Sequence, residues 1–228
     1  MDHLDALRRE LASFGATLDG DPAAPVAHCG DWTLTDLAVH VGTGNLWVAT
    51  AVREGHGRDH DESAAPRDPA ALRAWYEHSA DALLTALSAA PDTPAWTFTP
   101  PHTVGFWRRR RAQETLVHRW DAEHALGRRT PVDSALAADG VAEVLDVLAP
   151  LMVARGAAPA PERAVRITAV DAARSWTHGP GDPVAELSGT AEDLLLTLWG
   201  RLPRDTPSLS WTGDRAAGLA ALAGPLVP

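Results

Sequence analysis

Leu4, Leu7, Leu11 and Phe14 recur at spacings of three and four, the stripe of an amphipathic helix over residues 3–18. A second helix opens around Trp32 to Asp36, with Thr33 suited to cap it and Asp36 in its first turn, and runs to about Arg53. Its apolar stripe reads Leu37, His40, Val41, Gly44, Trp47 and Val48. Residues 55–67 are polar and rich in Gly, Asp and His, which predicts a loop. Asp68 ahead of Pro69 then forms a cap and first-position pair for a third helix, expected from about Asp68 to Ala90.

Four prolines in residues 91–104 exclude a continuous helix there. The fourth helix is predicted over Val104 to Leu126, ending at Gly127 as a C′ residue, and a further helix over Asp133 to Val153. Residues 155–162 are dominated by Ala and Pro and read as a linker between a helical bundle over residues 1–154 and a tail domain over residues 163–228. In the tail the period shifts to two: Val165 to Ala169, Arg174 to His178 and Val184 to Leu187 are expected as short antiparallel strands. A helix from Ala191 to Gly200, a strand from Ser208 to Thr212 and a helix from Asp214 to Ala223 complete an α+β unit.

Composition narrows the chemistry. The chain carries a net charge of −10, and its 20 basic residues are all arginine. That excludes a Schiff-base lysine, a P-loop lysine and a Ser-x-x-Lys nucleophile. An acidic chain repels polyanions, and its one dense basic run, Arg108 to Arg111, winds around a helix and presents only one or two guanidinium groups to any ligand. Nucleic acid is therefore not expected as a partner. Cys29 is the only cysteine, which excludes an internal disulfide and fits a reducing compartment. No apolar run is long enough to span a membrane, the N-terminus lacks a signal-peptide pattern, and the cytoplasm is the expected location.

Glu114 and His118 stand four apart on the fourth helix, with Asp121 on the same face. Val117 and Ala125 share that face, so it points partly inward, where an unpaired carboxylate is costly. His40 sits on the buried stripe of the second helix. Spacing alone also allows an intrahelical Glu–His contact and a core histidine bonded to a backbone carbonyl. Two imidazoles and one carboxylate with an open fourth position are, however, the donor set of catalytic zinc.

Two segments carry a resemblance: C-G-D-W-T-L-T-D-L-A-V-H-V-G, Cys29 to Gly42, and Q-E-T-L-V-H-R-W-D-A-E-H-A-L-G, Gln113 to Gly127. They resemble the signature stretches of the mycothiol-dependent maleylpyruvate isomerase family, which belongs to the DinB-like metal-binding helical bundles. The segment Val184 to Arg201 is similar to that family's C-terminal domain, a small unit related in shape to sterol-carrier modules. The resemblance covers nearly the whole chain. It implies an N-terminal DinB-like four-helix bundle followed by a small α+β domain. It further implies that His40, Glu114 and His118 hold a divalent metal, zinc by expectation, and that mycothiol, a thiol of actinobacteria, takes the fourth position. The implied activity is addition of the activated thiolate to an electrophilic small molecule, in an S-transferase or a cis-trans isomerase.

Other residues have weaker claims. Arg201 is a candidate to bind a substrate carboxylate, with Arg215 competing and a helix-end role as the alternative. Asp121 either orients a ligand histidine or pairs with an arginine. Cys29, near a helix N-terminus, is read as structural rather than reactive. Trp47 and Trp107 are expected beside the site. His28, His56, His60, His102 and His124 fall in loops or off the stripe. Two other functions fit the same residues: a metal-dependent hydrolase with Asp121 as base, and a non-catalytic DinB-like protein that binds an apolar ligand.

Overall fold

The computed structural model describes residues 1–58 and 64–228; His60 and the centre of the expected 55–67 loop lie outside the described residues. The chain forms two compact units, Met1–Pro131 and Val132–Pro228.

Among the described residues the first unit holds four α-helices: α1 (His3–Thr17), α2 (Leu34–Glu54), α3 (Pro69–Ala86) and α4 (Val104–Ala125). Each start has its own donor sink. Asp2 accepts from the N–H groups of Leu4 and Asp5, Thr33 and Asp36 form a full capping box, and Asp68 accepts from Ala71. The α4 cap residue Thr103 makes no side-chain cap bond; instead the proline-rich connection supplies acceptors, Pro91 O for Gly105 N at 2.7 Å and Thr93 O for Val104 N at 2.9 Å. A Cβ on Gly105 would lie 2.9 Å from the Pro91 oxygen, so glycine permits that close approach. Helix α3 ends at Ala86, short of the expected Ala90, because Ser88 N turns back onto Thr85 O ahead of Pro91.

Helix α1 packs along α4, and α2 packs against both α3 and α4. Leu7, Leu11 and Phe14 bury the stripe of α1, and Tyr76 of α3 donates its hydroxyl to Leu11 O at 2.9 Å. Helix α4 is buried on most of its surface despite its arginines. Arg119 pairs with Glu10 of α1 at 2.5 Å and Glu123 of α4 at 3.0 Å, which satisfies a charge in that interface.

In the second unit the predicted helix over Asp133 to Val153 is α5 (Ser134–Glu143), a π-helical turn (Val144–Leu148) and α6 (Ala149–Ala154). Ala149 N reaches Val144 O, the wider π register, immediately ahead of Pro150, which has no N–H to continue an α ladder. Helix α5 packs against α7 (Ala191–Leu198), so the boundary expected at residues 155–162 stands elsewhere: the two units part after Pro131. Residues 155–162 are a packed connection, since Ala157 N and Ala158 N both donate to Met152 O and Ala158 is buried.

Strands β1 (Ala164–Ala169), β2 (Arg174–His178), β3 (Pro183–Gly189) and β4 (Ser210–Gly213) form one sheet in the order β2-β1-β3-β4. The expectation of antiparallel strands holds for β1 with β2 and for β3 with β4, but β1 and β3 run parallel. The cause is the turn after His178, which crosses the end of β1 to reach its other edge. Gly179 makes that crossing at φ +100, where a Cβ would lie 2.4 Å from Arg163 O. Helix α8 (Arg215–Ala221) packs on β3 and β1, with Gly218 against Ala185 and Trp211. The mixed α plus α/β class expected from the sequence is the class observed.

Candidate metal centre

The capping box of Thr33 and Asp36 starts α2 about two turns before His40. The α4 ladder presents Glu114 and His118 on successive turns of one face. Between these helices, one donor atom each from His40, Glu114 and His118 lies within 4.8 Å of the others. His40 Nε2 is 3.6 Å from Glu114 Oε1, and the His40 and His118 rings meet edge to face with centroids 5.1 Å apart.

Those spacings bear on whether the residues fit a cation. A direct charge-assisted hydrogen bond closes to roughly 2.7–2.9 Å, whereas two ligands on one tetrahedral metal, with bonds near 2.0–2.1 Å, stand roughly 3.4 Å apart. The His40–Glu114 separation matches the second arrangement. Glu114 is also loosely engaged by Arg111 Nη1 at 3.3 Å and Arg110 Nε at 3.5 Å. Burial opposes its charge, but Arg111, His40, Arg110 and His118 together hold its carboxyl well below the usual range. Glu114 is therefore an ionised donor.

His118 is 6% exposed, and its Nδ1 lies 3.1 Å from Oδ2 of Asp121, itself 2% exposed. Burial pulls the His118 imidazole below its ordinary pKa against the opposing pull of Asp121 and Glu114. A neutral ring that donates from Nδ1 to a carboxylate carries its lone pair on Nε2, the usual way an outer carboxylate sets a ligand histidine. Of the two roles considered for Asp121, the geometry realises the contact with His118. Cys29 Sγ is 3.8 Å from the same Asp121 oxygen.

Three neighbours were not foreseen. The Trp32 ring lies 5.0 Å from His40. Arg111, buried to 2% exposure, donates from Nη2 to Asn45 Oδ1 at 2.7 Å and Val41 O at 3.2 Å, and Asn45 in turn reaches Ser79. The run Arg108 to Arg111 is thus largely structural: Arg108 donates to Leu87 O and Ala89 O beyond the end of α3, and Arg110 and Arg111 are buried. Trp47 and Trp107, expected beside the site, pack edge to face at 5.2 Å in a cluster with Trp96. Arg201 follows α7 in the second unit, where Nη1 donates to Trp199 O at 2.9 Å and the guanidinium lies over the Trp199 ring. His28 and His124 pack against Trp120, His56 pairs with Glu54, and His102 meets Thr97.

A helical bundle with two imidazoles and a carboxylate converging between helices, joined to a small α/β unit, defines the class of the protein. The sequence matches the mycothiol maleylpyruvate isomerase N-terminal domain over residues 4–123 and the MDMPI C-terminal domain over residues 135–220, and the chain belongs to that family. Two uncharacterized proteins of Mycobacterium tuberculosis, from different strains, are each 28% identical over 164 residues, covering 66% of this chain and 81% of theirs. A crystal structure of the mycothiol-dependent maleylpyruvate isomerase shares the fold at a TM-score of 0.68 and 16% identity, over 92% of this chain and 91% of that one. A mutant of that enzyme gives 0.67 with the same identity and coverage.

Proposed function

We propose that the chain is a metal- and mycothiol-dependent enzyme in which a thiolate adds to an electrophilic small molecule, for S-transfer or for cis-trans isomerisation. One observation carries the metal part of the reading: donor atoms of His40, Glu114 and His118, from two helices, lie within 4.8 Å of one another. The family match supports the thiol part.

His40, Glu114 and His118 hold the cation, with zinc the metal suited to a nitrogen and oxygen donor set of this size. When bound, such a cation lowers the pKa of a thiol at its open position and supplies a thiolate near neutral pH. Asp121 keeps the His118 ring in the required tautomer and orientation. Arg110 and Arg111 keep Glu114 ionised. In the isomerase reading the sulfur bonds to one alkene carbon of the substrate while the π pair moves into the conjugated carbonyl. The single bond left behind rotates, and expulsion of the thiolate restores the alkene. In the transferase reading the carbon–sulfur bond is kept. Arg201, steadied by Trp199, is assigned to the substrate carboxylate.

The partners are therefore a low-molecular-weight thiol and an electrophile, which fits a cytoplasmic setting. Among the described residues no helix is long and apolar enough to cross a membrane. A hydrolase with Asp121 as base is disfavoured, because that carboxylate is buried against His118 and Cys29.

Calorimetry with mycothiol on zinc-loaded and zinc-free protein tests the reading, followed by mass spectrometry after addition of maleylpyruvate or an alkylating acceptor. Metal-dependent thiol binding and conversion of either acceptor are expected. Equal thiol binding with and without metal contradicts it.

A further inference from the structure

Two donor sets meet at one imidazole. Besides the set with His40 and Glu114, His118 belongs to a second with Cys29 and Asp121, whose donor atoms also lie within 4.8 Å of one another. We propose that Cys29, His118 and Asp121 form a second, sulfur-bearing position for a soft divalent cation, in competition with the first for His118.

Cys29 is delivered by a braced turn. Its N–H donates to Val26 O at 3.0 Å, its carbonyl accepts from Trp32 N at 3.3 Å, and Val26 N closes onto Trp32 O at 2.8 Å. An isolated bridge between Pro25 and Thr33 ties the base of the turn to the cap of α2. The other two donors are buried on α4. The spacing suits a cation: sulfur and oxygen ligands on one tetrahedral metal stand roughly 3.6 Å apart, with bonds near 2.3 and 2.1 Å, and Cys29 Sγ is 3.8 Å from Asp121 Oδ2. Thiolate favours softer ions than an all-nitrogen-and-oxygen set does.

Competition follows from the imidazole itself, since a neutral ring has one lone pair. At the first position that pair is on Nε2 and the proton on Nδ1. Occupation of the sulfur position places the pair on Nδ1, moves the ring proton to Nε2 and releases the Cys29 thiol proton to solvent. The two positions share one residue, and a neutral imidazole supplies a single lone pair, so a cation at one withdraws His118 from the other. This rests on the proposed function only through His118.

Cobalt titration of the full chain, with no added thiol, tests the proposal. The chain has one cysteine, so any thiolate-to-cobalt band in the near ultraviolet reports Cys29. His40→Ala weakens only the first position, and its band per bound cobalt is expected to exceed that of the wild type. Cys29→Ser is expected to lose the band completely while still binding cobalt, seen in the visible spectrum. Bound cobalt with no near-ultraviolet band in either the wild type or His40→Ala overturns the sulfur position and leaves the first intact. A band that persists in Cys29→Ser also overturns it. No cobalt bound by any form removes both positions together.

Discussion

Asp121 lies one turn beyond His118 on α4 and meets its Nδ1 through Oδ2 at 3.1 Å, both side chains buried. On the proposed reading this carboxylate fixes the tautomer and orientation of the His118 ring. Asp121→Asn preserves the shape but removes the charge that selects the tautomer. Zinc affinity, measured by competition with a chromophoric chelator, is expected to fall on the order of tenfold to a hundredfold. Unchanged affinity would mean that Asp121 does not position the ring.

Arg111 joins the candidate ligand Glu114 to Asn45 and the Val41 carbonyl in the bundle interior. Truncation to Met leaves the half-buried Glu114 carboxylate with less compensation. Loss of one partner of a fully buried pair costs on the order of 3 kcal/mol. Solvent reaches part of Glu114, so urea denaturation of Arg111→Met is expected to show a loss below that figure. Gly44→Ala attacks the same contact from α2, because its new Cβ would lie 2.8 Å from Arg111 Nη1. A smaller loss is expected there, as the guanidinium can shift.

Arg201 is held by Trp199 in the second unit, apart from the donor residues of the first in the chain's division. Arg201→Met is expected to raise KM for a carboxylate-bearing electrophile on the order of tenfold to a hundredfold, the value of one or two hydrogen bonds to a charged group. Zinc content stays the same. An unchanged KM would return Arg201 to a helix-end role.

His178 closes β2 in a buried position, and burial alone pulls its pKa below 6.5. The unfolded chain takes up that proton at higher pH than the folded chain does. The contribution is therefore complete above the unfolded pKa and is lost as pH falls from 6.5 toward the folded value. Thermal unfolding between pH about 7.5 and about 5.5 is expected to show a shallower decline for His178→Leu than for the wild type. Parallel curves would contradict this.

Much of this organisation is legible in local pattern. The stripe of α1, the Thr33 cap and the Asp68–Pro69 start are short-range signals, and each produces the helix it predicts. Glu114 and His118 are recognisable by their spacing on one helix, and His40 by its polarity on an apolar stripe. What brings α2 against α4 is tertiary packing, which no local period encodes. The same gap hid Arg111, which reads as one of four arginines winding around a helix until Asn45 and Glu114 surround it. It also hid the affiliation of α5: an apolar helix face looks alike whether its partner is α2 or α7. The parallel pairing of β1 with β3 depends on a crossing at Gly179, where the sequence signals only a turn.

Zinc binding by equilibrium dialysis, comparing the wild type with the His40→Ala/His118→Ala double variant, addresses the account at its root. One zinc per wild-type chain is expected, with affinity reduced in the variant by more than about a hundredfold, beyond the cost of losing an outer partner. Equal binding by the two proteins, or none by the wild type, would contradict the assignment of these imidazoles as ligands.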